Sequence, residues 1–117
     1  IVPMQCEYFA LEGLSSLINT VDALKQKLNP GLEIDGIIRT MFDIRNNLAN
    51  AVSNELTRHF GDVVFRTLVP RNIRLAEAPS HGQSILNYDT GSRGAIAYMG
   101  FAGEVIRRTA AAVKENV

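Results

Sequence analysis

Tryptophan is absent from this 117-residue chain and cysteine occurs once, at Cys6. A lone cysteine excludes an intrachain disulfide and a zinc cluster, and it suits a reducing compartment such as the cytoplasm. The two histidines, His59 and His81, are too far apart in sequence for metal-ligand spacing. No apolar run approaches the roughly 20 residues that span a bilayer. Equally missing are the G-x-x-x-x-G-K-[ST] phosphate loop, the G-x-G-x-x-G dinucleotide turn and the G-x-S-x-G nucleophile elbow. Neither sign of charge is in excess, with Lys+Arg and Asp+Glu at 12 each, so overall charge announces no polyanionic partner.

What is present reads as an ordinary globular composition, 46% hydrophobic and 21% charged, for one domain or a piece of one. Two loops stand out. The run Leu32–Thr40 and the run Asp62–Val69 read as strands, and each ends in a polar loop: Met41-Phe42-Asp43-Ile44-Arg45-Asn46-Asn47 after the first, Pro70-Arg71-Asn72-Ile73-Arg74 after the second. In an open α/β sheet, ligands collect outside the carboxyl ends of the strands. Between Arg66 and Arg74 there are three arginines and no acid. The guanidinium fork suits phosphate, but a solvated surface cluster explains the charge equally well.

The remaining punctuation completes an α/β order. Ile1-Val2-Pro3 reads as the end of a strand. Leu11, Leu14, Leu17, Ile18, Val21, Leu24 and Leu28 follow helical spacing up to Pro30-Gly31, and Leu48, Val52, Leu56 and Phe60 mark a second helix closed by Gly61. From Pro70 to Gly94 the chain is expected to be irregular, with a short helical turn near Asn72–Ala78. Ala95, Met99, Ala102, Val105, Ile106, Ala110 and Val113 predict a closing amphipathic helix with Glu104 and Arg108 paired on its outer face. Three parallel strands and their helices are little sheet for a doubly wound domain, so the expected fold is part of a larger, mostly parallel α/β sheet.

The segments Val2–Leu14, Thr40–Arg45, Val69–Gly82 and Tyr88-Asp89 with Ser92–Ala95 resemble, in order, signatures of the ParA/Soj chromosome-partitioning ATPases, a MinD-like branch of the P-loop ATPases. The resemblance covers essentially the whole chain. It implies that residues 1–117 are the C-terminal half of such an ATPase domain, without the half that bears the phosphate loop, and that this chain alone neither hydrolyses ATP nor holds it tightly. It further implies ATP and Mg²⁺ as cofactors of the intact protein, homodimerisation in the ATP state, non-specific DNA and a ParB-type centromere-binding protein as partners, and a cytoplasmic, nucleoid-associated location.

By the same resemblance, Met41 and Pro70 flank the adenine while Thr40 and Asn72 read its polar rim. Arg45 and Arg74 contact DNA, with Arg71 and Arg93 as further candidates, and no residue of the chain is catalytic or a metal ligand. The residues alone leave alternatives open. Met41 could be core packing, Pro70 a strand terminator, and the arginines surface ion pairs with Asp43, Glu77 or Asp89. A MinD-type cell-division ATPase or a stand-alone α/β binding module is the alternative identity. A MinD-type protein is expected to end in a basic amphipathic membrane helix, which the alanine-rich segment 109–117 does not suggest.

Overall fold

A computed structural model describes residues 1–115. Three parallel strands in the order β1-β2-β3 form the sheet: β1 (Val2–Gln5), β2 (Ile37–Phe42) and β3 (Val64–Pro70). Helix α1 (Ala10–Lys27) joins β1 to β2 and α2 (Asn47–Phe60) joins β2 to β3. Both crossovers cover the same face, as two steps of one hand in one direction require. That face is closed by Leu14 from α1 and Ala49, Val52 and Leu56 from α2, packed on Met4, Ile37, Phe42 and Val64.

The long α5 (Arg93–Glu115) covers the other face, where Phe101 and Val105 pack on Ile38, Phe65 and Val69. The Phe65 and Phe101 rings meet edge to face at 4.9 Å. Gly36 precedes β2 because a side chain there would run into the Phe65 ring.

Several sequence expectations shift in detail. Residues 32–36 are not strand, and Gly61–Val63 form a 3₁₀ turn, so β2 and β3 each start later than the apolar runs suggest. Gly61 does close α2, at φ +53°, and Asn46 caps its start by accepting from the Ala49 amide at 3.1 Å.

The stretch from Pro70 to Gly94 is more ordered than its punctuation implies. It holds α3 (Ile73–Glu77), a 3₁₀ turn (Ala78–His81) and α4 (Ile85–Tyr88). Side-chain caps make this possible: the Asn72 carbonyl accepts from the Leu75 amide, the Ser84 hydroxyl from Asn87 and the Ser92 hydroxyl from Ala95. Gly94 lets α5 start directly against Leu75, where a Cβ would collide with the leucine side chain.

The largest correction concerns α5. Glu104 and Arg108 are not on its outer face. Glu104 is buried, and its carboxylate accepts from the backbone N–H groups of Arg66 and Thr67 at 2.8 and 2.9 Å and from the Thr67 hydroxyl at 2.8 Å. Arg108 donates to the Val64 carbonyl at 3.0 Å and lies over the Phe65 ring at 4.0 Å. Met99, Ile106 and Val113, expected inside, are exposed. The cause lies in β3, where four residues run against two of β2 between the pairs Ile37–Val64 and Arg39–Leu68. The surplus backbone groups need partners, and side chains supply them. Glu104 satisfies two N–H groups, while Arg39 donates to the carbonyls of Phe65 (2.7 Å) and Arg66 (3.3 Å) and to the Ser53 hydroxyl (2.9 Å).

Candidate functional site

The carboxyl end of β2 departs from regular pleating. Three residues, Met41 among them, carry β2 from Arg39 to Phe42 while β3 takes two, from Leu68 to Pro70, so β2 bulges. Met41 sits in the bulge at φ +49°, the one non-glycine residue with positive φ among the described residues. The extra residue shifts the alternation of side chains. Ile37 and Arg39 face α2, Ile38 faces α5, and yet Phe42 returns to the α2 side, where strict alternation would have put Met41. Met41 is thereby released from the core to the rim of the sheet, where it is 44% exposed. A side chain in this backbone region is strained by on the order of 1 kcal/mol, the kind of cost that collects at binding sites.

Beside the bulge is a cavity of about 620 Å³, lined by Pro3, Thr40, Met41, Pro70, Asn72 and, from α5, Tyr98, with Val69, Leu75 and Ala76 behind them. All four residues that the sequence pointed to for base recognition therefore border one space. Its walls are chiefly apolar, with a threonine, an asparagine, a tyrosine and Arg71 at the margin, a composition that suits a flat heteroaromatic ring. Asn72 is partly committed, since its side-chain oxygen caps α3. Tyr98 was missed from the sequence, because nothing in the spacing of α5 distinguishes it from a core position. Pro70 does end its strand, and the ladder continues past it through the Arg71 amide, which donates to the Phe42 carbonyl at 3.1 Å.

A second, smaller cleft of about 380 Å³ opens on the far side of Met41, between Cys6, Glu7, Asp43, Asn46 and Arg71. Burial pushes the Cys6 thiol up from its usual range, against the opposing pull of Arg39, so it is a packed rather than a reactive cysteine.

The candidate arginines are at the surface around these clefts. Arg45 lies against Asp43, with Nε 3.1 Å and Nη2 3.2 Å from the two carboxylate oxygens, and this hydrogen bonding holds the Asp43 carboxyl below its ordinary range. Arg74 lies between Glu77 (3.1 Å) and Asp89 (3.4 Å). Tyr88 donates to Glu77 at 2.6 Å, and this bond and the one from Arg74 hold the Glu77 carboxyl down. The His81 ring packs edge-on against Tyr88, and His59 lies 3.3 Å from Glu55 on α2. Arg71 and Arg93 are exposed. Among the described residues no three His, Cys, Asp or Glu side chains gather to hold a metal, and no helix is long and apolar enough to cross a membrane.

Comparison with known proteins bears on most of the chain. An AAA domain family matches residues 1–34. An uncharacterized protein of Pseudomonas putida is 56% identical over 108 residues, 92% of this chain and 41% of its own length. The sporulation initiation inhibitor protein Soj of Bacillus subtilis is 51% identical over 90% of this chain and 42% of its own length. The chromosome partitioning protein ParA of Caulobacter vibrioides is 49% identical over 92% and 40% respectively. The chain thus spans about two fifths of the length of the curated relatives it matches.

Proposed function

We propose that this chain, which belongs to the ParA/Soj family of chromosome-partitioning proteins, supplies the adenine-binding wall and a DNA-contacting surface of a partitioning ATPase. The observation that carries the reading is the bulge at Met41: it converts a strand end into a wall of one apolar cavity shared with Thr40, Pro70 and Asn72. In that cavity Met41 and Pro70 take the two faces of the base, Thr40 and Asn72 meet its polar edge, and Tyr98 closes the side towards α5. Bound ATP brings the phosphates and Mg²⁺ to residues outside this chain, so these side chains bind and orient the base and exclude water from it.

Arg45 and Arg74 then contact DNA phosphates, with Arg71 and Arg93 extending the surface. Phosphate contacts of this kind carry affinity without sequence information. Hydrolysis in an ATP-bound homodimer, stimulated by a ParB-type protein and confined to the nucleoid, completes the proposed role in chromosome or plasmid partitioning. A second reading has an observation of its own, since Arg45 and Arg74 are each held by acids and could be surface ion pairs alone.

The base-binding half is tested by ATP affinity of the intact protein. Met41→Ala and Tyr98→Ala should each weaken ATP binding several-fold, while Ile44→Ala, exposed and outside the cavity, should not. Unchanged affinity in a Met41→Ala, Tyr98→Ala double variant would remove the adenine from this cavity.

A further inference from the structure

Helix α3 has two sides with different neighbours. Asn72, which caps it, and Ile73, Leu75 and Ala76 within it border the cavity beside Met41, while Arg74 is no part of that lining and lies against Glu77 and Asp89. A wall of the base cavity and one candidate DNA contact are thus carried by a single element of five residues. A helix this short does not sustain itself, because fixing the first turn costs more than its hydrogen bonds return. Its place is set by what holds it. Leu75 packs on the Ile38–Phe65–Val69 cluster and on the Ala78–Ile85–Ala95 cluster, and fits against Gly94. Just before the helix, the Arg71 amide donates to the Phe42 carbonyl at 3.1 Å, which ties the segment to the strand that bulges at Met41.

Asn72 is the residue common to these constraints. Its backbone is extended, at φ −145° and ψ 127°, and its side-chain oxygen accepts from the Leu75 amide at 3.3 Å. That is its one side-chain hydrogen bond among the described residues, and it fixes which way the amide points, since only the oxygen can accept. The NH₂ end keeps its two donors, on a half-buried side chain that borders the cavity. A purine ring presents acceptor nitrogens around its rim. One amide can therefore cap α3 with its oxygen and donate to a bound base with its nitrogen at the same time.

We propose that Asn72 is a positioning residue for Arg74: a base in the cavity, held by the Asn72 amide nitrogen, fixes the start of α3 and with it the arginine two residues on. This role presupposes the adenine and DNA contacts proposed above. It adds a physical connection between them that needs no long path, because both lie on one short helix and its cap. Binding the base removes freedom from the element that carries Arg74, and that freedom is then not lost again when a phosphate is met. Without the base contact, Arg74 keeps its charge and its acidic neighbours but not a fixed placement.

The test is a double-mutant cycle on the full-length protein, saturated with ATP and titrated with a duplex at a concentration where sedimentation velocity shows one oligomeric state for all variants. Asn72→Ser keeps an oxygen that accepts from the Leu75 amide, serine being among the preferred caps, but is too short to reach the base. It should weaken ATP binding several-fold. With ATP raised to saturation it should still bind DNA several-fold more weakly than the parent, with a shallower salt slope. Arg74→Ala should weaken DNA binding at parental ATP affinity. Adding Asn72→Ser to Arg74→Ala should cost no further DNA affinity, because the serine acts only through the arginine. A role confined to capping predicts that Asn72→Ser is parental throughout, and that result would overturn the proposal. So would a serine effect on DNA binding that adds in full to that of Arg74→Ala. Parental DNA binding by Arg74→Ala would remove the DNA contact itself, whereas a weakened Arg74→Ala beside a parental Asn72→Ser would remove only the link.

Discussion

Two sets of charged side chains sit within this small sheet, and they are used in opposite ways. Arg39, Glu104 and Arg108 are drawn in beside the middle of β3, where they hydrogen-bond to backbone groups that a regular ladder would have paired. Arg45 and Arg74 stand at the carboxyl end of the sheet, solvated, and are bonded to the side chains of nearby acids. A charge bonded to buried backbone cannot leave without stranding that backbone. A charge bonded to a solvated carboxylate can exchange it for phosphate at little cost, since exposed pairs contribute about 0–1 kcal/mol. The first set holds the fold and the second is free to serve a ligand.

The largest expected effect falls on the first set. Glu104→Ala should cost on the order of 3 kcal/mol in denaturant unfolding, because two backbone N–H groups, the Thr67 hydroxyl and Arg108 lose their acceptor together. If that variant melts like the parent, the distinction between the two sets collapses. The same residue gives a pH dependence. Burial by itself would raise the Glu104 carboxyl, but its hydrogen bonds and Arg108 outweigh burial and hold it below the ordinary value. The stabilisation is therefore complete above the unfolded-state value of about 4.3 and is lost as pH falls through the lower folded-state value. Glu104→Gln should flatten this acid limb of the stability curve.

Gly94→Ala comes next, at about 1–3 kcal/mol, since the new methyl meets Leu75. It should also disturb the cavity, because Leu75 lines it. Met41→Gly should go the other way: relief of the positive φ adds up to about 1 kcal/mol of stability, while ATP binding weakens in the intact protein. A destabilised Met41→Gly protein would show that the bulge is held by the methionine rather than strained by it. Smallest are Arg45→Ala and Arg74→Ala, expected within about 0.5 kcal/mol of the parent in unfolding.

Much of this arrangement is legible in the sequence. Gly61 ends its helix as its position implies, and the Pro-Arg-Asn block after β3 points to the cavity beside Met41. What could not be read was the consequence of irregular strand register. Neither the surplus residues in β3 nor the bulge at Met41 leaves a local signature, because each arises from pairing with a strand distant in sequence. Glu104 therefore looked like half of an ordinary i,i+4 surface pair, and Met99, Ile106 and Val113 looked like core positions of α5. Tyr98 was hidden because nothing in the spacing of α5 sets it apart. The caps at Asn72, Ser84 and Ser92 are written in the sequence, but the prolines and glycines around them read as punctuation of a loop.

The division of the charges is tested most directly by DNA binding. The intact protein with ATP bound, the Arg45→Ala, Arg74→Ala double variant and a Glu104→Gln control should be titrated with two unrelated duplexes across a salt series. The double variant should bind both duplexes more weakly, by a similar factor. Its log-affinity against log-salt slope should be shallower by roughly 0.9 for each phosphate that an arginine no longer neutralises. ATP affinity and melting should stay at parental values, and the control should keep the parental DNA slope. Parental affinity and slope in the double variant would refute the division and leave Arg45 and Arg74 as surface ion pairs.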